Sequence, residues 1–147
     1  MVMRYWIALF IVAAAAVVLA YNYGIFYSQT SIVCFRQGCL NVSLAMTPYE
    51  KSRGLMQVER LDQDKGMLFV FGQDGVYDFW MGDVKIPLDI VWIDSNYSAV
   101  FIKNNAQPCS DECESISPGV DARYVLEANA GTVGRLDIVL GEKAEIA

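Results

Sequence analysis

The chain has 147 residues, 17 acidic against 11 basic, no histidine, and a formal net charge of −6. That length holds one domain with a core of its own, and the acidity argues against nucleic acid, which requires a basic face. Without histidine there is no Ser-His-Asp triad, no Cys-His pair and no histidine metal site, and no Gly-rich phosphate loop of either standard kind is present.

The first element is an apolar run, YWIALFIVAAAAVVLAY, of 17 residues from Tyr5 to Tyr21. As a helix it would be roughly 25 Å long, slightly under the hydrocarbon thickness of a bilayer. Arg4 precedes it and the next basic residue is Arg36, so the positive-inside rule places everything after Asn22 outside the cytoplasm. A membrane anchor fits the length better than a cleaved signal peptide, although Val18-Leu19-Ala20 meets the small-residue preference before a cut. A buried helix of a soluble protein would show a polar face, which this run lacks. The expected organisation is an anchor or signal segment over residues 1–27 and an extracytoplasmic domain over 28–147, with the membrane as first partner. All 17 acidic residues and every basic one except Arg4 belong to that domain, so it carries no polybasic membrane patch.

Ser31 to Phe35 and Leu40 to Ala45 alternate as paired strands around a Gln37-Gly38 turn, which brings Cys34 opposite Cys39. Outside the cytoplasm, closely spaced cysteines read first as disulfides. Together with Cys109 and Cys113 they allow three connectivities, of which local pairing is the simplest. A four-thiolate zinc site is the rival reading, and export to an oxidising compartment disfavours it. Thr47-Pro48-Tyr49-Glu50 then starts a short helix with a capping box, which Gly54 ends. Leu55-Met56 re-enters the core, and Asp62 to Gly66 is a polar loop.

Met67 to Phe71 is apolar on both faces and reads as a central strand. Gly72 to Gly75 is expected to turn the chain and Val76 to Met81 to return it as a strand. Leu88 to Ile93 and Ala99 to Ile102 form a pair across Asp94 to Tyr97. Residues 104–119 are a polar loop holding the second cysteine pair. Arg123 to Ala128 is a strand, Gly131 to Leu136 a short helical turn, and Ile138 to Ile146 is extended. Seven or eight short strands with one capped helix predict a mainly-β sandwich or barrel.

Five stretches, RGLM (53–56), GMLFVF (66–71), FWM (79–81), IPLDI (86–90) and YVLEANAG (124–131), occur in an order and spacing that resembles the domain-of-unknown-function 192 family. The resemblance covers about residues 31–146 and implies a mainly-β, sandwich-like fold. It implies no activity. The family pattern after FWM is a basic residue followed by Asn and Thr, whereas this chain has Gly82, Asp83 and Val84. A ligand contact made by that polar trio in relatives would be changed or lost.

Asp89 is a lone carboxylate in a buried-strand pattern, and a buried carboxylate requires partners. Arg53 is the expected one, since guanidinium matches carboxylate bidentately; backbone N–H groups at the Pro87 turn are the alternative. Trp80 and Met81 read as core residues by default, or as an apolar floor under a cleft edged by Asp89 and Glu127. Arg53, Trp80, Asp89 and Glu127 are therefore the candidate ligand-binding residues. The sequence reading is a non-enzymatic envelope module binding a glycan, peptide or neighbouring protein, with no cofactor and no metal. The alternative is a carboxylate-dependent hydrolase pairing Asp89 with Asp83, Glu127 or Asp78. Calcium binding by Asp111, Glu112, Glu114 and Asp121 lacks any EF-hand spacing, so a solvated acidic loop is preferred.

Overall fold

A computed structural model describes Trp6 and residues 29–147. No helix among these residues is long and apolar enough to cross a membrane. The expected anchor or signal segment over residues 1–27 lies outside the described residues, apart from Trp6.

Seven strands form the domain: β1 (Thr30–Phe35), β2 (Gly38–Ala45), β3 (Lys65–Gly75), β4 (Leu88–Ile93), β5 (Ala99–Ala106), β6 (Ala122–Asn129) and β7 (Glu145–Ile146). Two short helices, α1 (Pro48–Arg53) and α2 (Thr132–Arg135), complete it. The strands make one curled sheet in the order β5-β4-β6-β3-β2-β1-β7. All pairs are antiparallel except β2–β3. That parallel pair needs a crossover, which α1 supplies. The mainly-β expectation holds, but the layering differs from a sandwich. A single sheet curls into a half-barrel, nearer the barrel alternative, and loops and helices cover its central strands on both faces in place of a second sheet.

β4 shows why. Its six residues, LDIVWI, are all buried, as a strand covered on both faces requires. Val91 and Ile93 join Val33, Leu40, Val42, Leu68 and Leu126 on one face, under Val133, Leu136 and Ile138. Leu88, Ile90 and Trp92 join Phe69 and Val125 on the other, under Leu55, Met81 and Val84.

Several local signals act as the sequence implies. Cys34 faces Cys39 across the Gln37-Gly38 turn. At α1 the Glu50 N–H donates to Thr47 Oγ1 at 3.2 Å, and the Thr47 N–H donates to Glu50 Oε2 at 2.8 Å. These backbone donors, Thr47 first and Met46 next, hold the Glu50 carboxyl below its usual range.

Two expected elements are absent. Gly72 to Gly75 does not turn; β3 runs on to Gly75 with a register shift after Val70, and Arg123 Nε reaches Asp74 Oδ1 at 2.8 Å. Val76 to Met81 is extended but bridges only Ile116, through Phe79, because β6 occupies the place beside β3 that a returning strand would take. Its alternation survives without a ladder: Phe79 and Met81 turn toward the core, while Val76, Asp78 and Trp80 are exposed. Of the expected extension from Ile138 to Ile146, only Glu145–Ile146 pairs as a strand.

Candidate functional site

Asp89 projects onto the Val91–Ile93 face of the sheet, and neither expected partner is the one it uses. Arg53 is exposed, and the two ion pairs among the described residues join Arg36 to Asp137 and Arg123 to Asp74. The Asp89 carboxylate instead accepts the Asn105 N–H on Oδ1 and the Val133 N–H on Oδ2, each at 2.8 Å. Both donors are orphans of local geometry. The β4–β5 register shifts between Leu88 and Ile90, and Asn105 there has φ +50°, so a bulge removes its N–H from the ladder. Val133 lies in the first turn of α2, whose N-cap is Gly131, a residue with no side chain to cap it. Asp89 therefore serves as a remote cap and a bulge clamp at once. Both of its oxygens are engaged by backbone.

Glu127 points the other way. It pairs with Ile90 and Met67 in register, so its side chain lies on the Trp92 face, opposite Asp89. The two carboxylates that might have framed one cleft are separated by the sheet. Glu127 is 4% exposed and its Oε2 has no hydrogen-bond partner. Burial pushes its carboxyl from the usual 4.5 up to about 8, and the Leu55 N–H only partly offsets this. At neutral pH Glu127 is a protonated, buried acid. Gly54 lies over it: a Cβ there would sit 3.1 Å from the Phe69 ring and 3.6 Å from Glu127 Oε2.

Like Arg53, Trp80 meets solvent; it is 52% exposed. Its default reading as core fails because residues on either side of it, Phe79 and Met81, take the inward positions. The six-membered part of the indole lies on the Gly82 backbone, so close that a Cβ at Gly82 would come within 2.6 Å of it. One face of the ring is thus seated on glycine, and the exposed area lies away from that seat. The seat is itself fixed: Gly82 bridges Cys109, and the Asp83 N–H donates to the Cys109 carbonyl at 3.3 Å. Cys109 is disulfide-bonded to Cys113, and Cys34 to Cys39. Local pairing is therefore the arrangement adopted, with no cysteine among them free for zinc, and it is compatible with a location outside the cytoplasm. Exposed Asp78 and Asp83 flank Trp80 in the chain, and Asp78 Oδ1 accepts from Ser117 Oγ at 2.6 Å.

A groove of about 560 Å³ lies elsewhere, between the 60–63 loop and the 129–135 segment. Its lining includes Arg60 and Arg135, which the sequence reading did not single out. The signal that could have raised them was the Asn129-Ala130-Gly131 end of the last motif, where a strand gives way to a glycine turn.

The profile of DUF192, described as "Uncharacterized ACR", matches residues 32–146. The chain belongs to this family. Two solved structures resemble DUF192 as seen in this chain. One, a proposed transcription regulator from Sinorhizobium meliloti, is 35% identical with a TM-score of 0.72, covering 80% of this chain and 92% of its own. The other, a protein of unknown function from Novosphingobium aromaticivorans, is 30% identical with a TM-score of 0.68, covering 79% of this chain and 83% of its own. A search of the curated proteins finds no match. Against the DUF192 pattern, the departure after FWM now has a physical meaning. A basic residue at position 82 would bring its Cβ within 2.6 Å of the Trp80 ring and force the indole to shift, so the glycine and the seated indole go together.

Proposed function

We propose that this protein is a non-enzymatic binding module of the cell envelope, held by its N-terminal segment and exposing Trp80 to a glycan. The observation that carries the reading is the indole seated on Gly82 with half its surface open. A planar aromatic group held from one side stacks well on the apolar face of a sugar ring, and carboxylates beside it accept sugar hydroxyls. Asp78 and Asp83 are the acceptors at hand. Catalysis has less support: Asp89 is buried with a backbone donor on each oxygen, and Glu127 is buried on the other face. The name borne by the Sinorhizobium structure does not transfer readily, since a net charge of −6 opposes binding to a polyanion.

The test is a titration of full-length protein in detergent with peptidoglycan fragments and N-acetylglucosamine oligomers, read by indole fluorescence. Saturable binding is expected, weakened about tenfold or more by Trp80→Ala with the melting temperature unchanged. A glycan panel that never saturates the signal, or binding that survives Trp80→Ala, defeats the reading. Protease treatment of intact cells tests the address: the domain should be shaved away, leaving a membrane-bound stub.

A further inference from the structure

The groove between the 60–63 loop and the 129–135 segment is independent of the Trp80 platform. It is built before any ligand arrives. Asn129 Nδ2 donates across it to the Leu61 and Asp62 carbonyls at 2.8 and 3.1 Å, and Arg135 Nη2 donates to the Gln63 carbonyl at 2.7 Å. Those bonds fix both walls. Its volume of about 560 Å³ falls within the range of small-molecule sites, roughly 300–1,000 Å³.

Its charge is at odds with the rest of the chain. Acidic residues outnumber basic ones 17 to 11, so the average stretch of surface is negative. Arg60 and Arg135 nevertheless line the same groove, and neither forms an ion pair among the described residues. One carboxylate, Asp62, shares the lining. An arginine carries five N–H donors, and Arg135 commits one to Gln63. The remaining donors of two guanidiniums exceed what a single monocarboxylate can accept. A phosphomonoester, with up to two negative charges and three terminal oxygens, matches them.

We propose that this groove binds the phosphate of a small phosphomonoester, with Arg60 and Arg135 holding the oxyanion and Asp62 and Gln63 meeting hydroxyl groups on the ligand body. The phosphate could come from a soluble polyol phosphate or from a lipid headgroup, and the experiment separates these sources. Full-length protein in detergent at low ionic strength is titrated by calorimetry with glycerol 3-phosphate, with inorganic phosphate, and with a short-chain phosphatidic acid carried in the same micelles, the matching phosphatidylcholine serving as control. Saturable glycerol 3-phosphate binding supports the soluble source. Binding of the phosphatidic acid alone, without binding of the phosphatidylcholine, supports the headgroup. In either case Arg60→Gln should weaken binding roughly tenfold or more, the loss of a charge-assisted contact. Arg135→Gln should do the same, but it also removes a wall bond, so Arg60→Gln is the decisive variant. Arg123→Gln, on a paired arginine outside the groove, should leave binding unchanged. No saturable binding by any of the three probes, or equal binding by wild type and Arg60→Gln, overturns the proposal.

Discussion

Replacing Asp89 with alanine would strand the Asn105 and Val133 N–H groups in the interior without an acceptor. The expected loss is about 3–5 kcal/mol, measured by urea unfolding. Asp89→Asn keeps one acceptor oxygen but turns an amide N–H toward the other donor, so it should cost less, about 1–3 kcal/mol. Because Arg53 is exposed away from this carboxylate, Arg53→Met should leave stability nearly unchanged and add nothing to the Asp89 variants. Glu127 makes a prediction of opposite sign. Its folded pKa, about 8, is raised from the usual 4.5, so folding favours the protonated form. The destabilisation is absent below pH 4.5, grows as pH rises toward 8, and is constant above that. Within the window it amounts to about 1.4 kcal/mol per pH unit. Glu127→Gln, neutral at every pH, should therefore be more stable than wild type at pH 8 and close to it at pH 4.5. Denaturant midpoints at those two pH values check this, and a wild-type advantage at pH 8 would show that Glu127 is ionised and paired.

Close approach of backbone decides stability at the scale of elements. A Cβ on Gly66 would lie 2.7 Å from the Glu127 carbonyl, across the β3–β6 pairing. Gly66→Ala cannot be absorbed by a flexible side chain and should cost about 1–3 kcal/mol, read from thermal or urea unfolding. Element by element, legibility follows sequence distance. The capping box of α1 could be read because Thr47 and Glu50 are three residues apart. β4 could be read as central from its apolar run. The partners of Asp89 could not, because Asn105 and Val133 lie 16 and 44 residues away and donate backbone N–H groups, which leave no trace in side-chain identity. Trp80 was misplaced for a related reason. Whether a strand-like segment finds a partner depends on what the rest of the sheet has claimed, and β6, more than 40 residues later, claims the place beside β3.

For the whole molecule, the two disulfides close loops of only five and four residues in sequence separation. Each should contribute about 2 kcal/mol by restricting the unfolded chain, so reduction should lower the urea midpoint while leaving unfolding cooperative. The sheet order matters more. β6 alone joins the β5-β4 pair to the β3-β2-β1-β7 block. Until residues 122–129 dock, the remaining strands can form only two separate sheets, each with an open inner edge. Joining them closes long stretches of chain, so folding should be slow for a domain of this size, with the barrier crossed as β6 inserts. Leu126→Ala would then retard refolding, whereas Ile146→Ala at the outer strand would mainly hasten unfolding. Stopped-flow chevrons distinguish the two limbs. A chain caught before that insertion carries two unsatisfied edges at once, and its fate turns on whether β6 or a neighbouring molecule reaches them first.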